Sequence, residues 1–547
     1  MSRLSFEVED QDLLGRNGRL ETKSGIVETP LLFPVINPKV QLLPSREIKQ
    51  SLRCEAVITN AYLLKKNFGD MPLERGVHAL LDFDGVVMTD SGAYQNLLYG
   101  RVKISPAEVI HYQEAIGSDI AVILDVPTGW RVSWDYARET VEETLRRGRE
   151  LFTLKAREDI LWVGPVQGGR YIDLIVRSAK AMGELPFDIH ALGSPTRIME
   201  QYLFTTLVDM IIAAKTNLPL ERPLHLFGAG HPLILPLAVA SGCDTFDSAA
   251  YAIYARDGRY MTERGTAHLN KLRYFPCSCP LCSRYNPEEV MEMDEEERVR
   301  FLEGHNLHVC FSEIRRIKQA IKEGRLWEHL EWKAHGHPAL TRALKRLKDY
   351  REILEKETPI TKKAGLFYFN SIGLNRPEIS RYCKRLSERY STPRNTVVLV
   401  LMPQAEGGPY YISAKKQSFL EELNRELGDL NGKVHVCLYK IPFGVVPLEL
   451  DDVYPLSQYE YVTPPDLETL EYVSNQISTF ITQRNYKGAI LLLDVKKEQE
   501  SEYFAENFAK TCRLKGVSCK IQKSENIWGK ESLWNLLRDI RDLISRI

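Results

Sequence analysis

Short β-branched runs alternate with helical segments between about residues 55 and 250 of the sequence. The helical segment at 136–156 follows Ser133, and the segment at 198–216 carries apolar residues on one face. Strands that alternate with helices of this length indicate parallel βαβ units. The strand-like runs are 56–59, 86–89, 120–124, 161–166, 188–192, 223–227 and 244–246.

The alternation favours an α/β fold of the (β/α)8 type, a TIM barrel. Such a barrel requires eight strands, and the seven runs are one short of that number. The stretch from Asn17 to Leu32 is expected to form an N-terminal hairpin lid, and one barrel strand stays unassigned. A doubly wound open sheet is the alternative. Either fold places its ligand site at the carboxyl ends of the parallel strands.

Polar residues or glycines stand at the carboxyl end of almost every predicted strand. An aspartate at such a position is often only a helix N-cap, so each one alone carries little weight. Together they are better explained by a site, because all these strand ends converge on one face of a barrel. These residues are Asp90, Asp125, Gln167, Gly193, Gly228, Gly230 and Asp247.

The residue types in this set indicate the chemistry of the site. Asp90 lies in TDSGAYQ and Asp247 in TFDSAAY, and two facing carboxylates suit displacement at the anomeric carbon of a sugar. Asp125 is suited to accept hydrogen bonds from the N–H groups of a heterocycle. Glycines beside it would let a flat ligand approach the backbone. The remaining candidates are Gln167, Gly168, Gly169, Leu192 and Gly193.

Three cysteines crowd into six residues and predict a metal site. Ten cysteines in the whole chain are too few and too scattered for a disulfide scaffold. Three thiolates and one imidazole complete a tetrahedral structural zinc site. The proposed ligands are Cys277, Cys279, Cys282 and His305. His308 and Cys310 are near enough in sequence to leave the fourth ligand open.

The segment FGAGHP at 227–232 lacks a complete G-x-G-x-x-G, because Leu233 follows Pro232. This departure argues against a dinucleotide-binding loop. The flanking histidines, His225 and His231, are predicted to be structural.

A formal net charge of −1 and a pI near 6.9 argue against a general nucleic-acid binder. A local basic face could still bind a phosphate backbone. The alternative interpretation of the same residues is a solvated helix whose charges are paired with glutamates. No apolar run is long enough to cross a membrane, and the acidic start does not form a secretory signal, so a cytoplasmic protein is expected. The basic residues are Arg315, Arg316, Lys318, Lys322, Arg325, Arg342, Lys345, Arg346, Lys348 and Arg351.

The chain is expected to have three parts. Residues 1–270 form the catalytic barrel, and 271–357 form a zinc-binding subdomain with the basic helices. After a linker at 358–363, strand-like and helical runs alternate again, which predicts a smaller α/β module over 364–547.

Several ordered motifs resemble those of the tRNA-guanine transglycosylases, most closely the archaeal form that makes archaeosine. The similarity covers about residues 1–350, and the segments 367–382 and 442–461 resemble C-terminal modules of that branch. The motifs are LDFDGVVMTDSGAYQ, LDVPT, PVQGG, HLFGAGHP, CDTFDSAAYAIYARDGRYMT and PCSCPLC.

The resemblance implies a (β/α)8 barrel with an inserted zinc subdomain, one structural Zn²⁺ and a homodimer. It implies that Asp247 attacks C1′ of a nucleoside and that Asp90 acts as acid and base or, in some schemes, as the nucleophile. The reaction would replace guanine-15 in the D-arm of tRNA with 7-cyano-7-deazaguanine (preQ0), without ATP or a redox cofactor. The resemblance places Asp125, Gln167, Gly168, Ala191, Leu192 and Gly193 in the base pocket and Cys277, Cys279, Cys282 and His305 on the zinc.

Two departures and two alternatives accompany this resemblance. No PUA pattern is identified in 472–547, and LDVPTGW differs from the proline-rich continuation expected after LDVPT. The alternatives are an archaeosine synthase-like paralogue that acts on preQ0 already in tRNA and a non-catalytic tRNA-binding partner subunit. The presence of both Asp90 and Asp247 favours the base-exchange enzyme.

Overall fold

The structure is a computed structural model that describes residues 6–93, 105–404 and 414–547. The chain divides into two compact units. The first runs to Asp349 and includes Glu357–Pro359, and the second comprises Tyr350–Lys356 and Ile360–Ile547. A separate zinc subdomain that begins at residue 271 stays a prediction.

Eight parallel strands form the centre of the first unit, which confirms the predicted barrel in place of an open sheet. The first strand pairs with the last, and a bridge from Val35 to Ile58 closes the ring. The Ile36 amide also donates to the Ile58 carbonyl at 2.7 Å. The strands are Leu31–Pro34, Ala56–Asn60, Val86–Asp90, Ile120–Val122, Leu161–Val166, Ile189–Leu192, Leu224–Leu226 and Thr245–Ser248.

The strand that the sequence left unassigned is the first one, Leu31–Pro34. It spans only four residues, and prolines at both ends hide it from a pattern-based search. The hairpin expected over 17–32 is part of a three-stranded antiparallel sheet that ends at Thr29, and Leu31 and Leu32 belong instead to the barrel strand. The strands of that sheet are Phe6–Asp12, Gly15–Thr22 and Gly25–Thr29.

Helices follow the barrel strands, and local capping explains where several of them begin. Ser105 and Glu108 form a reciprocal capping box, and the Ser133 hydroxyl accepts from the Tyr136 amide. The interior of the ring is filled by buried apolar side chains, among them Phe33, Met88 and Val163. The helices are Ser45–Leu52, Ala61–Phe68, Met71–Arg75, Val77–Leu81, Pro106–Ala115, Trp134–Leu154, Ile172–Gly183, Thr196–Glu200, Phe204–Lys215, Leu235–Ala240 and Ala250–Arg256.

The rest of the first unit follows the last barrel helix. A hairpin of Arg259–Thr262 and Gly265–His268 leads into the cysteine loop. The helix Glu295–Glu323 then runs for 29 residues, from the Asp294 cap to Gly324, which has φ 72°. The further helices of this unit are Pro287–Glu292, Leu326–Ala334 and Pro338–Arg346. The helix Arg351–Glu357 follows them in the chain and belongs, up to Lys356, to the second unit.

The second unit has a five-stranded sheet, as expected for a smaller α/β module. Its first two strands in sheet order are antiparallel and the other neighbours are parallel. In sheet order the strands are Gly444–Pro447, Val434–Lys440, Val398–Pro403, Gly488–Asp494 and Ser518–Ser524, and Leu366–Tyr368 pairs separately with Tyr459–Tyr461. The helices are Pro377–Glu388, Ala414–Leu427, Leu467–Thr482, Glu498–Lys515 and Lys530–Ser545.

Among the described residues, no helix combines the length and the apolar character that crossing a bilayer requires.

Candidate active site

Three aspartates come together at the carboxyl ends of the barrel strands. Asp90 is the last residue of its strand, Asp247 is the third residue of Thr245–Ser248, and Asp125 follows Ile120–Val122 by three residues. The charges of Asp125 and Asp247 both act on the carboxyl group of Asp90, so the three groups share one site. Tyr94 and Gln95, at the end of the TDSGAYQ motif, lie outside the described residues.

Asp90 is a half-buried carboxyl group with an unusual proton affinity. Burial and the charges of Asp125 and Asp247 raise the pKa of Asp90 to about 7, although the backbone N–H groups of Ser91 and Gly92 oppose the shift. The Asn60 amide donates to Oδ2 of Asp90 at 2.8 Å. A carboxyl group with this pKa can hold or release a proton near neutral pH.

Asp247 is held by two donors. His225 Nε2 lies 3.1 Å from Oδ1, and the Gly228 amide donates to the same oxygen at 2.8 Å. The other ring nitrogen of His225 lies 3.0 Å from Thr245 Oγ1, which fixes the imidazole. Among the described residues no donor reaches Oδ2 of Asp247, so both hydrogen bonds to this carboxylate fall on Oδ1. His225, predicted to be structural, therefore orients a site carboxylate.

Asp125 and Gln167 form a polar pair in the same site. Gln167 Nε2 donates to Oδ2 of Asp125 at 2.5 Å, and Gln167 Oε1 accepts from the Thr128 amide at 3.0 Å. The Ser194 hydroxyl donates to the same amide oxygen at 3.1 Å. Burial raises the pKa of Asp125 to about 6, and the Gln167 hydrogen bond limits the shift. The amide orientation of Gln167 is thus fixed, and the carboxylate is directed for hydrogen bonding to a ligand.

The glycines beside this pair are sterically required. A Cβ on Gly193 would lie 2.2 Å from Nε2 of Gln167, and one on Gly168 would lie 2.7 Å from the Ile175 amide nitrogen. Gly168 also has φ +149°, a conformation that other residues rarely adopt. Ala191 and Leu192 are fully buried at the end of the strand Ile189–Leu192, so their side chains serve the core and only their backbone leads into the site.

The three cysteines of the loop meet the histidine of the long helix. One ligand atom from each of the four residues lies within 4.8 Å of the others. His305 Nδ1 lies 3.3 Å from Cys282 Sγ and 3.7 Å from Cys279 Sγ, and its Nε2 donates to the Met261 carbonyl at 2.9 Å. A ring whose outer nitrogen is held in this way presents its inner nitrogen to a metal. The set fits a structural Zn²⁺ and comprises Cys277, Cys279, Cys282 and His305.

The other candidates for the fourth ligand lie outside this cluster. The Cys310 thiol donates to the Gly230 carbonyl at 3.2 Å, and His308 does not contribute an atom to the four-ligand set. The Tyr260 ring stacks on His305 with 3.6 Å between centroids, and its hydroxyl lies 3.3 Å from Cys282 Sγ. A second layer of contacts therefore supports His305 as the ligand.

Replacing Cys282 by serine is expected to remove zinc from the protein and to lower its unfolding temperature by about 5–10 °C, because three ligands remain and the loop loses its crosslink. Metal analysis and thermal unfolding would measure both effects. Cys310→Ser is the matched control, since it keeps a buried donor outside the cluster. A Cys282→Ser protein with full zinc content would show that the ligand set is wrong.

The basic residues of the long helix are largely paired. Arg316 contacts Glu263 and Glu313, and Lys318 lies 3.5 Å from Glu28. Lys322 lies 4.0 Å from Asp10. In the later helix Pro338–Arg346, Arg346 lies 2.8 Å from Asp209. These pairs favour the alternative of a solvated helix for this part of the basic stretch.

Sequence reasoning missed several residues of the site. Asn60 also ends a barrel strand, so its position at the same face was the available signal. Thr128 and Ser194 act on Gln167 through loops whose course the sequence does not reveal. Gly228 was noted as a strand-end glycine, but its amide donation to Asp247 required the structure.

A closed parallel barrel with this carboxylate cluster and a Cys3His loop defines a class of α/β-barrel enzyme, and comparison with known proteins identifies its family. The family described as queuine tRNA-ribosyltransferase matches residues 11–339. The chain belongs to this family and is a pentosyltransferase. Residues 379–540 match a second family, described as a domain of unknown function.

Several archaeal proteins are similar to the chain over most of its length. The tRNA-guanine(15) transglycosylase of Saccharolobus solfataricus is 42% identical over 495 residues, which are 89% of this chain and 96% of the relative. The protein of the same name from Sulfolobus acidocaldarius is 43% identical over 494 residues, 89% of this chain and 95% of the relative. That of Methanocaldococcus jannaschii is 39% identical over 533 residues, 95% of this chain and 78% of the relative.

Proposed function

We propose that the protein exchanges a base in tRNA, replacing guanine-15 of the D-arm with preQ0 through a covalent glycosyl-aspartate intermediate. The observation that carries this proposal is the contrast between two carboxylates in one site. Asp247 is oriented by two donors on one oxygen, whereas the pKa of Asp90 is raised to about 7. The names of the similar archaeal proteins support transglycosylation of guanine-15 in tRNA.

In the first step Oδ2 of Asp247 bonds to C1′ of the target nucleotide, and the bond from C1′ to N9 of guanine breaks. The bonding electrons leave with guanine, which takes a proton from Asp90. In the second step Asp90 removes the proton from N9 of preQ0, which attacks C1′ and releases the Asp247 carboxylate. Protons and charge balance over the two steps, because Asp90 ends in its starting state.

The covalent route keeps the RNA backbone intact while one base leaves and another enters. A base stacked inside folded RNA is out of reach of a side chain, so the target nucleotide must first leave its stack. Asp125 and Gln167 would then receive the purine-like edge of the base, with Gly193 allowing its close approach. The Cys3His cluster would hold one Zn²⁺, which stabilises the fold and takes no part in these steps.

The experiment incubates purified protein with unmodified tRNA transcript and labelled preQ0 and then maps the label by nuclease digestion. Label at guanine-15 is the expected result. Label in the anticodon would keep the chemistry and overturn the position. Intact tRNA binding without any label would instead favour the archaeosine synthase-like paralogue or the non-catalytic partner subunit.

Two further parts of the proposal, the oligomeric state and the location in the cell, follow from the resemblance and can be measured directly. We expect a homodimer in solution, which light scattering would measure, and a cytoplasmic location, which cell fractionation would measure.

Replacing Asp125 by alanine is expected to raise the KM for the free base about 100-fold, because the charged acceptor for its N–H groups is lost. Binding of tRNA should be unchanged, since the proposed role of Asp125 is limited to the base. Steady-state kinetics with varied preQ0 would measure the KM for the base, and a separate binding assay would measure the affinity for tRNA. Asp159→Ala, an exposed aspartate before the next barrel strand, is the control. An unchanged KM for the base would reject the role of Asp125.

A further inference from the structure

Two neighbouring loops of the barrel are joined into one wall that leads outward from the base pocket. We call this the loop wall and define it as residues 128–134 and 167–173. Hydrogen bonds join the two loops at successive points. At the inner end the Thr128 amide donates to Oε1 of Gln167, and further out the Tyr171 hydroxyl donates to the Val132 carbonyl at 2.9 Å. At the outer end the Trp134 indole donates to Asp173 at 2.8 Å. The wall is therefore a fixed extension of the pocket.

The outer end of the loop wall exposes aromatic surface. The side chain of Trp134 is 39% exposed even though its indole nitrogen is paired. The Arg138 guanidinium lies 5.4 Å from the Trp134 ring centre, and that of Arg170 lies 5.1 Å from the Tyr171 ring. Aromatic rings held in place with an exposed face are suited to stack on the bases of single-stranded nucleic acid.

The loop wall also carries two arginines whose charge is not neutralised. Arg131 and Arg170 are exposed, and within residues 6–93, 105–404 and 414–547 neither forms an ion pair with a carboxylate. The adjacent helices differ, because most of their arginines form ion pairs with carboxylates. Arg146 lies 2.8 Å from Glu143 and 2.7 Å from Glu150, and Arg177 lies 2.6 Å from Glu142.

We propose that the loop wall binds the nucleotides next to the exchanged guanine, with Arg131 and Arg170 on phosphates and Trp134 stacked on an unpaired base. The inference rests on the proposed function and adds a surface for the RNA itself. Fixed guanidinium groups beside an exposed indole match the alternation of phosphate and base in a single strand. The wall begins at the residue that orients Gln167, so a base in the pocket brings its neighbours to this surface.

The test compares tRNA binding by the full-length protein, Arg131→Ala/Arg170→Ala and Trp134→Ala over a series of salt concentrations. We expect about tenfold weaker binding for each variant. The double variant should also lower the slope of log K against log salt by about two, one for each lost phosphate contact. Trp134→Phe should restore part of the binding, since it keeps an aromatic face. The KM for free preQ0 should not change.

The matched controls are Arg146→Ala/Arg177→Ala, which removes two paired arginines, and Trp534→Ala, which removes an indole that is 59% exposed in the second unit. Both should bind tRNA as the unaltered protein does. As a second readout, a photoreactive nucleotide on either side of the exchanged guanine should crosslink to the loop wall. Wild-type affinity and salt slope in the double variant, with no crosslink to this wall, would overturn the inference.

These outcomes also separate the inference from the proposed function. If the unaltered protein binds tRNA but does not exchange its base, the proposed reaction fails while the binding comparison still decides the role of the loop wall. If the unaltered protein does not bind tRNA, both are overturned.

Discussion

Asp247→Asn is expected to abolish base exchange and to prevent any covalent RNA adduct from forming. The amide has nearly the same shape and can still accept from the Gly228 amide, so the site should stay intact. It is a very poor nucleophile, and a covalent mechanism loses its first step when that group is replaced. We expect a rate at least 1,000-fold below that of the unaltered protein, on the scale that loss of a catalytic nucleophile produces.

The measurement is denaturing electrophoresis of protein incubated with tRNA, in which an adduct shifts the protein band, together with incorporation of labelled preQ0. Asp257→Asn is the control, because Asp257 is exposed at the end of the helix that follows Asp247. If Asp247→Asn still forms an adduct, the nucleophile is Asp90, and the roles of the two carboxylates must be exchanged.

The fold could be predicted from the sequence to the extent that its elements are long or strongly patterned. Seven of the eight barrel strands were predicted, because each buried run is followed by a helix of regular spacing. Leu31–Pro34 escaped because a four-residue strand between prolines has no periodicity of its own. Its pairing with Thr245–Ser248 is a contact between distant parts of the chain, which local patterns do not encode.

For the site, the sequence could indicate which residues stand at strand ends but not how they act on one another. It predicted the cysteine cluster well, since close spacing brings thiolates together without help from the fold. It did not predict that His225 supports Asp247, because a histidine inside a strand is usually part of the core. That assignment depends on which side chains two adjacent parallel strands bring opposite each other.

The different environments of Asp90 and Asp247 follow from where the barrel places its donors. Asp247 receives a ring nitrogen and a backbone amide on one oxygen, whereas Asp90 is crowded by two other carboxylates. Neighbouring carboxylates in unlike environments are how proteins obtain an acid–base group and a nucleophile from the same residue type. The arrangement destabilises the folded state, because a half-buried carboxyl group is kept near other negative charges.

Asp90→Asn is therefore expected to lower the rate of exchange about 100- to 10,000-fold while making the protein more stable above neutral pH. The pKa of Asp90 is raised in the folded state from 3.8 to about 7. As pH rises through about 4, the unfolded chain loses the proton while the folded protein keeps it, so the wild type loses stability until about pH 7. The asparagine variant has no such loss. At pH 8 its free energy of unfolding should exceed that of the wild type by on the order of 2–4 kcal/mol.

Chemical denaturation at pH 4, 6 and 8 would measure this difference, which should be near zero at pH 4 and largest at pH 8. Asp84→Asn is the control, since Asp84 precedes the same strand, is exposed and pairs with Lys49 on the surface. A purely structural role for Asp90 predicts the opposite sign, a variant that is less stable at every pH. Lower activity with higher stability at alkaline pH would instead identify Asp90 as a carboxyl group retained for its proton transfer.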